Sequence, residues 1–146
     1  MSRDQDRGMR AVARVREVRE RDSRIGLLQA LTTVRIREEE LAALRGALDE
    51  AAQRVEGDLD GYAASRRLLT GMAVGVREAE HRLEGSRTVA AEAHARWQAD
   101  KARVRAIEQL LERRVTRRAE EAARAEVREI DDIVGRLQAR TGGVGA

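Results

Sequence analysis

The chain has no cysteine, no proline and no phenylalanine, and only one tryptophan and one tyrosine in 146 residues. Without cysteine there is no disulfide framework, no thiol nucleophile and no thiolate metal site. Without proline, no position is barred from donating a helical backbone hydrogen bond. An aromatic content of 1% leaves too few bulky side chains to fill a three-layer interior. Long apolar runs are missing too, so no segment is expected to span a bilayer. Residues 1–7 are charged and carry no apolar core, which is not the pattern of a secretory signal. A soluble, cytoplasmic protein is expected.

Charge is abundant but balanced. Charged residues make up 38% of the chain, yet the net charge is only +3, and Lys101 is the sole lysine among 29 basic residues. Acids are interleaved with the arginines almost everywhere. A nucleic-acid surface calls for an unbalanced basic stripe, so these charges read as the solvated flanks of a helix pair.

The strongest positive signal is a seven-residue repeat. Leu27, Val34, Leu41, Leu48, Val55, Tyr62, Leu69, Val76, Leu83, Ala90, Trp97, Val104 and Leu111 are apolar and evenly spaced. Such a repeat places one stripe of each helix against a partner helix. The segment Glu56-Gly57-Asp58-Leu59-Asp60-Gly61 interrupts it with turn chemistry, two glycines and two aspartates. The expected fold is all-α, a two-helix antiparallel coiled-coil hairpin with an overhanging C-terminal helix, forming a single domain over residues 1–146. Helix one is expected at about 8–56, the turn at about 57–61, helix two at about 62–140 and a flexible tail at 141–146.

Folding back at this turn pairs residues whose numbers sum to about 120. Leu41 then meets Ala79 and Leu83, and Leu48 meets Met72 and Val76. Trp97 falls over Ser23 to Gly26, as a large knob with Gly26 as its hole. Gly71 and Gly75, four apart, suggest a close helix approach. The second helix outruns the first by roughly 28 residues, or about 40 Å. That overhang keeps an apolar stripe of Ala119, Ala123, Val127, Ile130, Val134 and Leu137 with no partner in its own chain, which reads as an oligomer contact or a docking face.

Catalytic patterns are missing: no Gly-rich phosphate loop, no His-Glu-x-x-His and no Gly-x-Ser-x-Gly. His81 and His94 fall on different helix faces, and the adjacent pairs Glu120-Glu121 and Asp131-Asp132 point apart. No enzyme activity, catalytic residue, metal or cofactor is expected.

The stretch Arg96-Trp97-Gln98-Ala99-Asp100-Lys101 through Ile107-Glu108-Gln109-Leu110-Leu111-Glu112-Arg113-Arg114, followed by Glu126-Val127-Arg128-Glu129-Ile130-Asp131-Asp132-Ile133, resembles the C-terminal helix of the FliJ family of flagellar type III export proteins. Arg14 to Leu31 is similar to that family's opening helix, so the resemblance covers nearly the whole chain. It implies a coiled-coil stalk whose open end enters the pore of a hexameric export ATPase. Other implied partners are the cytoplasmic domain of the export gate and export chaperones, with the protein held peripherally at the inner-membrane export apparatus. By the same resemblance, Arg113, Arg114, Arg117, Arg118, Val127, Ile130 and Val134 would contact the ATPase. Leu44, Ala47, Ala51, Leu68, Met72 and Gly75 would contact the gate, although the family often carries aromatics where this chain has Ala47 and Ala51. The alternatives are the equivalent stalk of a virulence-type secretion system, or an arginine-rich coiled-coil scaffold or nucleic-acid-binding protein.

Overall fold

Alanine, arginine, glutamate and leucine are strong helix formers, and no proline interrupts them, so long helices are the default for this composition. In a computed structural model of the chain, which describes residues 3–55 and 59–143, α1 runs Arg3–Gln53 and α2 runs Leu59–Gly142. There is no strand among the described residues. The fold is an all-α antiparallel hairpin of two long helices packed against each other.

The helix ends depart from the expected bounds. α1 begins at Arg3 rather than near Gly8, and Asp6, ahead of the expected start, occupies an inward position. It stops at Gln53 rather than near Glu56, with the Arg54 amide bonded to the Ala51 carbonyl at 3.2 Å in a tightened last turn. Leu59, Asp60 and Gly61 belong to the first turn of α2, not to the link, and Asp60 suits the positive end of that helix. The rest of the expected turn, residues 56–58, lies outside the described residues. At the far end Thr141 and Gly142 are still helical, and the Thr141 hydroxyl donates back to the carbonyls of Leu137 and Gln138 at 3.1 Å each.

Contacts divide the chain into two units, Val15–Ala102 and Met1–Arg14 with Arg103–Ala146. In the first, every third or fourth residue of each helix turns inward: Leu27, Ala30, Val34, Arg37 and Leu41 on α1, and Val76, Ala79, Leu83, Ser86 and Ala90 on α2. Leu41, Val76, Ala79 and Leu83 are buried together, with Val34 and Leu48 packed at their edge. Two interhelical ion pairs flank this cluster, Arg45 with Glu80 at 2.6 Å and Arg87 with Glu38 at 3.1 Å. Residue numbers rise on one helix as they fall on the other, so the pairing is antiparallel. Both ion pairs are half exposed and contribute on the order of 0.2–1 kcal/mol each. Burial of the leucine and valine side chains therefore carries the hairpin.

Two packing expectations fail. A methyl group added at Gly26 would meet nothing within 4 Å, and the same holds at Gly71 and Gly75. Gly26 is not a hole for Trp97, and the Gly71–Gly75 pair does not mark a close approach. Trp97 instead lies along the seam and donates its indole N–H to Glu20 Oε1 at 2.8 Å. A tryptophan with a polar partner in reach takes that partner rather than a featureless gap.

Two measurements check this packing. In urea unfolding, Leu83→Ala should cost about 2–4 kcal/mol, whereas Leu28→Ala, at an exposed position, should cost about 0.5 kcal/mol or less. Gly46→Ala should gain about 0.5–1 kcal/mol, because the helix takes the methyl without a clash.

Candidate functional site

The second unit brings the start of α1 against the middle of α2. Asp6, Met9 and Ala13 turn inward from α1, and Val104, Ile107, Leu111 and Arg114 turn inward from α2. Asp6 is only 8% exposed, a degree of burial that a carboxylate tolerates only with partners. It has two: Arg118 donates to one carboxylate oxygen, and Arg114 donates to the other at 3.4 Å. The hydrogen bond from Arg118 holds the Asp6 carboxyl below its usual range. Desolvation pushes the other way, but it is outweighed by that bond together with the charges of the two arginines and the Arg114 bond.

Past Arg118 α2 is exposed on every side, from residue 119 to residue 142. Its apolar side chains nevertheless form one stripe, with Val127 57%, Ile130 53%, Val134 44% and Leu137 56% exposed. The stripe is out of phase with the seam. From Leu111, which faces α1, the helix turns a net of roughly 80° to Leu137, 100° to Ile130, 140° to Val134 and 160° to Val127 at 100° per residue. The uncovered apolar face is therefore rotated well away from the face of α2 that Asp6 and Met9 cover.

This geometry sorts the residues expected at the ATPase. Arg114 and Arg118 are brought together, but around Asp6. Arg113 and Arg117 are exposed, on the side of α2 turned away from α1. Val127, Ile130 and Val134 share one exposed face. The residues expected at the gate are divided. Ala51, Met72 and Gly75 are partly buried at the seam, while Leu44, Ala47 and Leu68 are exposed.

Sequence reading passed over Asp6, although counting back by sevens from Leu27 reaches it through Glu20 and Ala13. Requiring an apolar residue at each step hid the continuation. It also passed over an apolar strip on the outer side of α1, made by Val15, Val18, Ile25 and Ile36, all about half exposed. The seam repeat is so regular that a second, weaker stripe does not stand out beside it.

Around Trp97 the side chains form a small polar cluster. The Lys101 ammonium sits 4.7 Å from the ring centroid, a cation–π contact, and the His94 ring is tilted at 6.0 Å. With Lys101 over the ring face and the N–H given to Glu20, the indole links α2 to α1 through that hydrogen bond. Among the described residues no three His, Cys, Asp or Glu side chains are grouped to hold a metal ion. Among the same residues no helix is long and apolar enough to cross a membrane.

The Asp6 pairing has a pH signature. A carboxyl whose folded pKa is depressed contributes stability above its unfolded pKa of about 3.9 and loses it as the pH falls through the lower folded value. An NMR titration should therefore place the Asp6 midpoint below that of a free aspartate. Arg118→Gln should move it back up, and Asp6→Asn should leave residues 6–13 less protected from amide exchange at neutral pH.

Searches of curated proteins and of solved structures gave no significant match. The profile of the family described as "Flagellar FliJ protein" matches residues 6–143, from the paired Asp6 to the end of α2. A match over nearly the whole chain, on a hairpin with the layout that the sequence resemblance implied, shows that the chain belongs to the FliJ family.

Proposed function

We propose that this chain is a non-enzymatic stalk of the flagellar export apparatus that couples its hexameric ATPase to the export gate. Family membership gives the coarser statement, a flagellar export-related role. The finer reading is supported above all by one observation: α2 carries an exposed apolar face, Val127, Ile130, Val134 and Leu137, that no described residue of its own chain covers. A soluble helix keeps such a face when another molecule is to bury it.

The phase change along α2 refines which residues would meet the ATPase. Arg114 and Arg118 are committed to Asp6, so Arg113 and Arg117 are the arginines free to meet acidic groups of a ring, beside Val127, Ile130 and Val134. A single helix seated in a six-fold ring contacts the subunits unequally, and that inequality biases ring assembly and the order of ATP turnover. Of the residues proposed for the gate, Leu44, Ala47 and Leu68 are exposed enough to be touched, while Ala51, Met72 and Gly75 would support them from the seam. Export chaperones are proposed as further clients, and peripheral placement at the inner membrane follows from the partners rather than from any apolar segment of this chain.

The interleaved acids weigh against the alternative of a nucleic-acid-binding scaffold. The test is to add the purified chain to its cognate ATPase and follow assembly and ATP hydrolysis. Stimulation is expected, and the paired substitution Val127→Asp with Val134→Asp should reduce it at least about tenfold while helical content is retained. An unchanged ATPase in the presence of the wild-type chain overturns the reading.

A further inference from the structure

We propose that the uncovered stretch of α2 pairs with the same stretch of a second copy of this chain, antiparallel, in a two-stranded coiled coil. The stretch runs from Ala119 to Gly142, 24 residues in all, or about 36 Å. It is long enough for three heptads, and its apolar residues keep heptad spacing: Val127, Ile130, Val134 and Leu137 are separated by three, four and three positions. Because this face points away from α1, a second helix reaches it without displacing Asp6 or Met9.

Length and charge choose the orientation. In a parallel pair in register, Glu126 of each copy would face Asp131 of the other, a like-charge contact made twice. Turning one copy end for end removes it. Full antiparallel overlap sets Ala119 against the end of the other helix, and the heptad register closest to that overlap places Val127 opposite Leu137 and Ile130 opposite Val134. Val127, Ile130, Val134 and Leu137 then pack on one another, with Ile133 at the edge of the contact. The same register brings Glu126 of each copy beside Arg140 of the other, an attractive contact made twice, against a single Asp131–Asp131 approach at the centre. The neighbouring antiparallel register leaves Leu137 against Glu120 and buries less.

Pairing covers the face assigned above to the ATPase, so the two contacts are mutually exclusive. The pairing itself does not rest on that assignment, and it is tested with the chain alone.

Sedimentation equilibrium of the wild-type chain should show a concentration-dependent monomer–dimer transition. Glu126→Arg and Arg140→Glu should each weaken it at least about threefold, and the double variant should restore it, since each exposed pair is broken and then rebuilt with its sign reversed. The chain has no native thiol, so cysteines report orientation directly. In an oxidised mixture of Ile130→Cys and Val134→Cys, one carrying a size tag, the mixed product should dominate. A monomer at all accessible concentrations, or predominant crosslinking of each variant to itself, overturns the proposal.

Discussion

Two helices share only one line of contact, and everything stable in this protein is arranged along it. Among the described residues there is no sheet and no third layer, and the chain has no cysteine for a disulfide, so each inward position counts for more than it would in a larger core. Leu41, Ala79 and Leu83 show how the contact is built. Leucine knobs alternate with a small alanine, and arginine–glutamate pairs at the edges close over the apolar surface without adding much energy of their own.

The inward positions are not uniformly apolar, and the polar ones are placed where they constrain alignment. Asp6 between two arginines, Glu20 on the Trp97 indole and the buried Asp100, which also has a partner, all stand at seam positions. A slide of one heptad would keep apolar residues opposite apolar residues in the leucine-rich part, and would strip Asp6 and Glu20 of their partners. A polar group at a seam position lowers stability and fixes register. This chain has its apolar cluster at Leu41 to Leu83, with polar determinants at inward positions of both units.

The hairpin was legible because its signal is periodic. Leu27, Leu41 and Leu83 announce themselves by spacing, and the glycine–aspartate break between the helices needs no three-dimensional information. What was not legible depended on side chains finding partners distant in sequence. The heptad count places Asp6 at an inward position, but nothing in its neighbourhood says what would stabilise a carboxylate there, since its partners Arg114 and Arg118 are more than a hundred residues away. Trp97 failed for a related reason: size complementarity suggested a glycine hole, and a hydrogen bond to Glu20 decided the matter. The apolar stripe of Val127 to Leu137 was readable as a stripe. Its rotation away from the seam became meaningful only once the inward face at Ile107 and Leu111 had been located.

The Asp6 contact has a geometric consequence. It is the described seam contact of α1 that reaches furthest along α2, so it marks where covered helix ends and bare helix begins. If Asp6 lets go and the first turns of α1 peel back, the boundary retreats from Arg118 towards Leu111, adding about two turns, or roughly 10 Å, to the bare portion. The added surface brings Arg114 and Leu111 into solvent on the side opposite Val127 and Val134. One carboxylate thus sets the reach of the free helix and decides whether it presents one binding side or two.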